Sequence, residues 1–455
     1  MHSNTSSFSR ATAAARPQRI VMMDSLRGIA VLGILLVNIA HFALPYPASN
    51  NLTLNNELGT INERVWYFVN WCLEGSQRAI FSMLFGAGII LFLIRIEKRI
   101  EGILPAEYFI RRQLWLLFFG LVNAFVLLWP GDILFQYAIC GIIIFVFRRL
   151  RVTGLLVAAG ICLVLMTARE NIDLFRQHQK IWKGEAIAQL DTTNIKLTDV
   201  QKEALGAMTG FKEGSGRESQ EKEMKKNLQE MRGSYGQVYQ SISRASANAE
   251  FYYSYYAIWD ILLFMFIGMA FYKCGILTGK APVKIYWALC IGGLGLGLLV
   301  SYFRIQALLL SKFNVFDYTK SIVAEYYEIA RTLRSLGIFG FIMLLYKSGM
   351  FGWLFKLMRP VGQMAFTNYL SQSVICAVYF YGFGFGMYGH LQRYEMYYVV
   401  AAIWVVQIIW SHAWLVYFHY GPLEWIWRNL TYWKIQPLKK RTSTVLEIKR
   451  VTAGQ

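Results

Sequence analysis

The sequence predicts an all-α fold: a polytopic membrane helix bundle of about ten transmembrane helices, both termini cytoplasmic, with one long external helical loop. Three observations lead there. Of 455 residues, 56% are hydrophobic and only 16% charged, with mean hydropathy +0.36, against roughly 25% charged in a soluble chain. Apolar runs of about 18 residues or more recur along the chain. The basic residues gather at the ends of these runs, on alternate connections, as the positive-inside rule requires. A soluble enzyme and a transcription factor are excluded. The net charge of +19 follows the membrane edges and does not point to nucleic acid.

In chain order, the expected spans are 26–44, 79–96, 114–128, 133–147, 153–168, 258–272, 286–308, 333–346, 364–388 and 397–417. Several are short for a hydrocarbon core of about 30 Å at about 1.5 Å per residue, so tilting or local thinning is expected. With the N-terminus cytoplasmic, 25 basic residues fall on the inner connections and tails, and seven on the short outer connections. One missed span would invert every later connection and destroy this contrast. The chain then divides into a disordered cytoplasmic tail (1–23), a five-span bundle (24–168), an extracytoplasmic loop (169–256), a second five-span bundle (257–420), and an amphipathic cytoplasmic helix with a basic tail (421–455). The loop carries 13 basic and 12 acidic residues and reads as two or so polar helices broken at Gly214–Gly216. It is an extracytoplasmic cap, a flexible insert or a lid over an acceptor site. The six scattered cysteines read as small buried hydrophobes, with no paired Cys or His and no metal site.

Polar residues that survive in apolar helices mark the candidate site. Asp24 and Arg27, three apart, share a helix face and form a structural pair, with Arg27 also a candidate for gripping an anionic ligand. Asn38 and His41 repeat that spacing near the other end of the first span. Arg78 lies inside the outer end of the second span, with Glu74 four residues before it and Gly86 and Gly88 allowing close helix approach. Asp132 follows a Pro130–Gly131 turn, where an aspartate caps a helix and can also accept a proton. Asn368, Tyr369, Gln372 and Ser373 form a polar stripe that must face protein or water, as interhelical glue or a ligand path. Glu424 and Arg428 stand i, i+4 as a second structural pair, beside Trp425 and Trp427 as interface anchors. No phosphate-binding loop, voltage-sensor helix, selectivity filter or obvious inverted repeat is present.

These motifs, DSLRGIAVLGILLVNI, FSMLFGAG, GDIL, GQMAFTNYLSQS and GPLEWIWRNLTYW, run in order over nearly all the chain except the long loop. The chain resembles the YeiB-like family of bacterial multi-pass membrane proteins, which end in a domain of unknown function. More distantly, it is similar to the heparan-alpha-glucosaminide N-acetyltransferases and other transmembrane acyltransferases. The resemblance implies an acyl group taken from a cytoplasmic donor such as acyl-CoA and placed on a hydroxyl or amine at or beyond the membrane. Those enzymes use a histidine, and relatives carry one about nine residues before the GDIL motif, where this chain has Asn123. Asp132 is therefore the first candidate general base and His41 the second, with Arg78 stabilising the oxyanion. Asn38, Asn123, Asn368, Tyr369 and Gln372 are the candidate substrate contacts. Arg27, Arg111, Arg112 and Arg359 form the basic rim for the donor phosphates.

The expected partners are membrane lipids, the acyl donor and an acceptor the sequence does not name. No cofactor is permanently bound, nucleic acid is not a partner, and a homo-oligomer is left open. Location in the bacterial inner membrane follows from the resemblance. Two alternatives stand beside the acyltransferase: a transporter or flippase of a lipid or amphiphile, and a non-catalytic scaffold or sensor acting through the long loop.

Overall fold

The computed structural model describes residues 21–98, 100–190 and 197–440. The expected tail over 1–23 lies almost wholly outside them, as does most of the basic tail beyond Lys440. The structure is 78% helical, and its one β feature among the described residues is an isolated bridge between Phe418 and Lys439. The first part of the chain forms α1 (Val21–Ala43), α2 (Tyr46–Asn50), α3 (Ile61–Phe68), a π-helical turn (Val69–Leu73), α4 (Ser76–Glu97), α5 (Leu104–Phe125) and α6 (Leu134–Val146). Next come α7 (Val152–Ala188), α8 (Asp199–Gly214), α9 (Arg217–Met231), α10 (Tyr235–Ala247) and a second π-turn (Asn248–Tyr253). The remainder is α11 (Ser254–Lys273), α12 (Val283–Leu310), α13 (Val315–Ser321), α14 (Tyr327–Ser348), α15 (Gly352–Gln363), α16 (Ala365–Phe380), α17 (Met396–Tyr417) and α18 (Pro422–Tyr432).

Every expected span overlaps a helix, though the span expected over 364–388 runs eight residues past the end of α16 at Phe380. Seven of these helices among the described residues are long and apolar enough to cross a membrane: α1, α4, α7, α11, α12, α14 and α17. The other three expected spans are α5, which opens with Glu107, Arg111 and Arg112, the 13-residue α6 and the 16-residue α16. At about 1.5 Å per residue α6 reaches only about 20 Å, short of a hydrocarbon core of about 30 Å. Burial sorts the helices. Two-thirds of the apolar stretch of α11 is buried, while less than a quarter is in α7, α12 and α17, whose valines and isoleucines (Val157, Val164, Ile291, Ile409) face outward as lipid-facing residues do.

Glycines set the closest crossings. A side chain on Gly268 of α11 would strike the Met83 carbonyl of α4, and one on Gly86 would strike Met265 in return. Gly28 of α1 and Gly362 of α15 meet in the same way. Without lipid-excluding hydrophobic drive, such backbone contact is what holds helices together. Gly88, expected to serve the same purpose, faces open space. These crossings join helices from opposite halves of the sequence, and one buried cluster includes residues of α1, α4, α6, α11, α14 and α16. The two five-span halves are thus interleaved around one core.

The long loop is more ordered than its polarity suggests. Helix α7 runs on past the expected boundary at residue 168 to Ala188, and α10 passes through the second π-turn directly into α11, across the expected boundary at 256. Three helices, not two, fill the interval, and the break predicted at Gly214–Gly216 does separate α8 from α9. Capping boxes at Thr198 and Ser234 start α8 and α10. The cap is fastened by Arg232, which donates to the Tyr388 carbonyl at 2.9 Å, and by Tyr235, which donates to the Val126 carbonyl at 2.9 Å. Beside it Arg393, 2% exposed, bonds Glu57 at 2.8 Å and two carbonyls of α2. Burial raises the pKa of Glu57, and the Arg393 charge opposes that rise. The start of α1 and α18 share the opposite face of the bundle, where Ser25 donates to the Phe355 carbonyl and Trp427 to the Arg112 carbonyl.

The crossings give a paired expectation. Gly268→Ala lowers stability by about 1–3 kcal/mol through overpacking, while Gly88→Ala leaves it nearly unchanged. Thermal unfolding of both variants in detergent distinguishes them.

Candidate functional site

At the capped face, α1, the start of α4, the α5–α6 turn, α9 and α10 enclose a cavity of about 580 Å³. Aromatic rings, among them Trp129, Tyr327 and Tyr381, alternate with the polar groups of Asn38, His41 and Arg78 in its wall. Both π-turns border it. The first ends at Glu74 and Gly75, and the second supplies Asn248, Ala249 and Tyr253. A π-turn inserts an extra residue that re-aims side chains, and such turns concentrate at functional sites. Gly75 starts α4 at φ +73°, and a side chain there would meet Arg331.

Asn38 and His41 fall on one face of α1, as their spacing predicts, and both open into the cavity. His41 Nδ1 lies 3.2 Å from the Ser49 hydroxyl, whose own proton is donated to the Tyr46 carbonyl at 2.8 Å. With that proton committed, the imidazole N–H belongs on Nδ1, donating to Ser49, a tautomer assigned by hydrogen-bond accounting. Nε2 is left as the basic nitrogen.

Arg78 also lines the cavity, but its charge is anchored by Asp260 of α11 at 2.6 Å. Sequence reasoning missed this partner, although an aspartate within WDILLFMFIGMAF is itself an ionisable group in an apolar run. Arg331 of α14, 1% exposed, grips both Asp260 oxygens and also pairs with Glu328. Arg334, one turn on, donates to the Trp71 carbonyl at 3.0 Å and the Ser301 hydroxyl at 2.7 Å, and also bonds the Glu74 carbonyl. It thereby satisfies orphan carbonyls at the end of the first π-turn. Tyr327 donates to the Glu74 carboxylate at 2.7 Å. The cavity is thus bordered by a buried ionic network that fixes Arg78 while leaving its side chain 37% exposed.

Asp132, the first candidate base, is placed otherwise. It is 2% exposed, and its neighbours Gly131 and Ile133 line the cavity while it does not. One oxygen accepts from the Asn123 amide at 2.7 Å, and the other from the Phe135 N–H at 3.0 Å. Tyr369 stands 3.5 Å away. Asp132 is therefore a helix cap, and Asn123 and Tyr369 are its partners rather than cavity contacts. Asn368 and Gln372 also lie off the cavity. Asn368 donates to Val361 and Ser411 and accepts from Trp410, and Gln372 donates to Val31 and Gln407. These bonds are interhelical glue between α1, α16 and α17. Both side chains are buried where the helices pack closely, so their amides bond to neighbouring helices.

At the opposite face Asp24 and Arg27 pair at 2.9 Å, as expected. The second expected pair does not form. Glu424 turns away from Arg428 to accept the Phe366 N–H at 2.8 Å, the Thr367 N–H at 3.0 Å and the Thr367 hydroxyl. Caught at the N-terminus of α16, the carboxylate meets donors that an i+4 arginine would have to displace. Burial pushes its pKa up, against the pull of those donors. Trp427, expected as an interface anchor, is buried, and the Arg112 guanidinium lies 3.6 Å from its ring centroid. Arg27 and Arg428 face Arg112 as like charges, and the buried Nε of Arg428 has no hydrogen-bond partner. Arg111 pairs with Glu107, and Arg359 is exposed.

The C-terminal membrane helices match a family model. Residues 271–434 fit the one described as "Protein of unknown function (DUF418)". The uncharacterized protein YxaH of Bacillus subtilis (strain 168) is 28% identical over 438 residues, 93% of this chain and 97% of that protein. The uncharacterized protein YeiB of Escherichia coli (strain K12) is 28% identical over 443 residues, 94% of this chain and all of that one. The YeiB-like resemblance holds along the whole chain. An uncharacterized 39.9 kDa protein of Bacillus acidopullulyticus is 25% identical over 425 residues. No solved structure matches.

Asp260→Asn removes the carboxylate that Arg331 and Arg78 share, leaving buried Arg331 with Glu328 alone. Loss of one partner of a buried pair destabilises by about 3–5 kcal/mol. The triple variant Asp260→Leu, Glu328→Gln and Arg331→Met recovers part of that loss in thermal unfolding, because it removes the buried charges together and leaves only the partly exposed Arg78.

Proposed function

We propose that the chain is an integral-membrane acyltransferase of the bacterial inner membrane. Both termini are cytoplasmic, and it moves an acyl group from a cytoplasmic donor such as acyl-CoA to a hydroxyl or amine on the far side. The observation that carries this reading is that a basic imidazole nitrogen on His41 and the half-exposed guanidinium of Arg78 open into one cavity. The distribution of basic residues favours the cavity facing away from the cytoplasm.

In this reading His41 Nε2 takes the proton of the acceptor hydroxyl or amine as its oxygen or nitrogen attacks the thioester carbonyl. Arg78, already oriented by Asp260, offers N–H donors to the oxyanion that forms, the contribution that is often largest in acyl transfer. Collapse breaks the carbon–sulfur bond, and the leaving thiolate takes up a proton. Asn38 lies one turn from His41 and is placed to hold the acceptor. The donor phosphates are assigned to Arg27, Arg112 and Arg428, where positive charge exceeds the carboxylates facing it and one guanidinium N–H is unmet. Arg428 takes the place that sequence reasoning gave to the exposed Arg359.

A second reading, transport of an amphiphile, draws on the ionic network around Asp260, because intramembrane charges also mark transport pathways. Thermal unfolding with ligand distinguishes the two. At 100 times its Kd a ligand stabilises by about 2.7 kcal/mol. Acyl-CoA and free CoA are expected to give such a shift in the wild-type chain and in His41→Ala, and to lose it in Arg112→Ala. Stabilisation by lipid but by no CoA species favours transport.

A further inference from the structure

Helix α7 is 37 residues long, about 55 Å at about 1.5 Å per residue, which outruns a hydrocarbon core of about 30 Å. Up to Ala168 it is apolar. From Arg169 onward charged residues recur every few positions, among them Asp173, Arg176, Lys180, Lys183 and Glu185, a density that hydrocarbon does not hold. One face of the whole helix is buried, through Leu155, Cys162, Met166, Leu174, Ile181 and Gly184, against α11 and the cap helix α8. The opposite face is exposed. Exposed residues follow one another there at spacings of four and three without a break, from Ile161 through Leu165, Ala168, Ile172, Phe175, Gln179 and Trp182 to Ala186. Such spacing, kept for almost four heptads, is that of a coiled-coil seam. Its large members, Ile161, Leu165, Ile172, Phe175 and Trp182, are each between 45% and 55% exposed.

Lipid covers the first three positions of this seam but not the rest. Along the axis Phe175 stands about 10 Å and Trp182 about 20 Å beyond Ala168, among the charged residues. Large apolar side chains left bare in such surroundings mark an interaction site. Two copies inserted in one membrane share one topology, so their α7 helices run parallel, and the same face on each meets across a two-fold axis. With Leu165, Ile172, Gln179 and Ala186 at a positions and Ala168, Phe175 and Trp182 at d, the seam holds a single polar residue. In a parallel homodimer the Gln179 amide faces its own copy, and each can donate to the other. One polar residue at an a position fixes register and orientation. The flanking cations Arg169, Arg176 and Lys183 all fall at e, across from Val164, Asn171 and His178 at the g positions of a second copy, so none of the three meets another Lys or Arg. We propose that the outward face of α7 is a homodimer interface, a parallel α7–α7 coiled coil that begins in the membrane and continues beside the cap. Because α8 packs on the same helix, the dimer ties the caps of the two copies together. The inference stands whether the cavity serves acyl transfer or transport.

Disulfide trapping of the full chain in membranes tests it. Phe175→Cys places a thiol in the seam, Lys180→Cys places one on the same helix off the seam, and the wild-type chain with its six cysteines is the baseline. Under copper–phenanthroline oxidation most of the Phe175→Cys chain is expected to run as a covalent dimer, and Lys180→Cys no more than the wild type. Phe175→Cys trapped only at the wild-type level overturns the interface and leaves the seam to a helix of another protein. Equal trapping of both thiols overturns it as well, because that reports random collision. In detergent, light scattering is expected to give twice the protomer mass for the wild-type chain. Phe175→Glu with Trp182→Glu is expected to be monomeric with unchanged helix content, its dissociation constant raised by roughly a hundredfold. A folded double variant that stays dimeric overturns the seam. If that variant fails to fold, the trapping of Phe175→Cys decides alone.

Discussion

Asp260 lies between Arg78 and Arg331 inside an apolar bundle, and much of the architecture follows from holding those charges together. A charge inside the bilayer is tolerated only with a partner, so α4, α11 and α14 must meet where their charged residues meet. That junction sets the orientation of Arg78 and places Arg334 against the carbonyls at the end of the first π-turn. The turn in turn exposes Glu74 and Gly75 to the cavity. Energetically the network is a weak source of net stability, because desolvation offsets attraction. Its larger effect is on specificity: few other packings of these helices would pair every charge.

Close glycine contacts and the ionic junction divide the work. Gly86 with Gly268, and Gly28 with Gly362, bring helix backbones into contact. The cavity lies toward the capped face, bordered by the α5–α6 turn and the cap helices. The cap is more than a cover. Because α10 continues through the second π-turn into α11, any movement of the cap is transmitted to the helix that carries Asp260. At the other face Glu424 ties α18 to the start of α16 and brings Arg428 beside Arg112.

Much of the fold was legible because hydropathy and charge placement report on lipid contact, which acts residue by residue. All ten expected spans correspond to helices. The order within the loop was harder to read: its helices are polar on most faces and are fixed by caps and by contacts with α5 and the α16–α17 connection, which a sequence does not display. The site was half legible. The three-residue spacing of Asn38 and His41 put both on one cavity wall, and Asp24 with Arg27 paired as local geometry dictates. Of the two roles the sequence allows Asp132, the structure displays the helix cap, with the Phe135 N–H on its carboxylate and the side chain off the cavity. Glu424 was misjudged because a carboxylate prefers backbone donors at a helix N-terminus 58 residues away to an arginine four residues on. Asp260 and Arg331 lay in view as ionisable residues in apolar surroundings, but they pair across α11 and α14, which a sequence does not display.

The most direct measurement is a cryo-EM map of the full chain in nanodiscs with an acyl-CoA of defined chain length. The account predicts nucleotide density against Arg112 and Arg428 at the face bearing α18, with the pantetheine arm running through the bundle so that the thioester lies beside His41 and Arg78. Density for an intact lipid or amphiphile in the cavity, with nothing at the arginines, would contradict it.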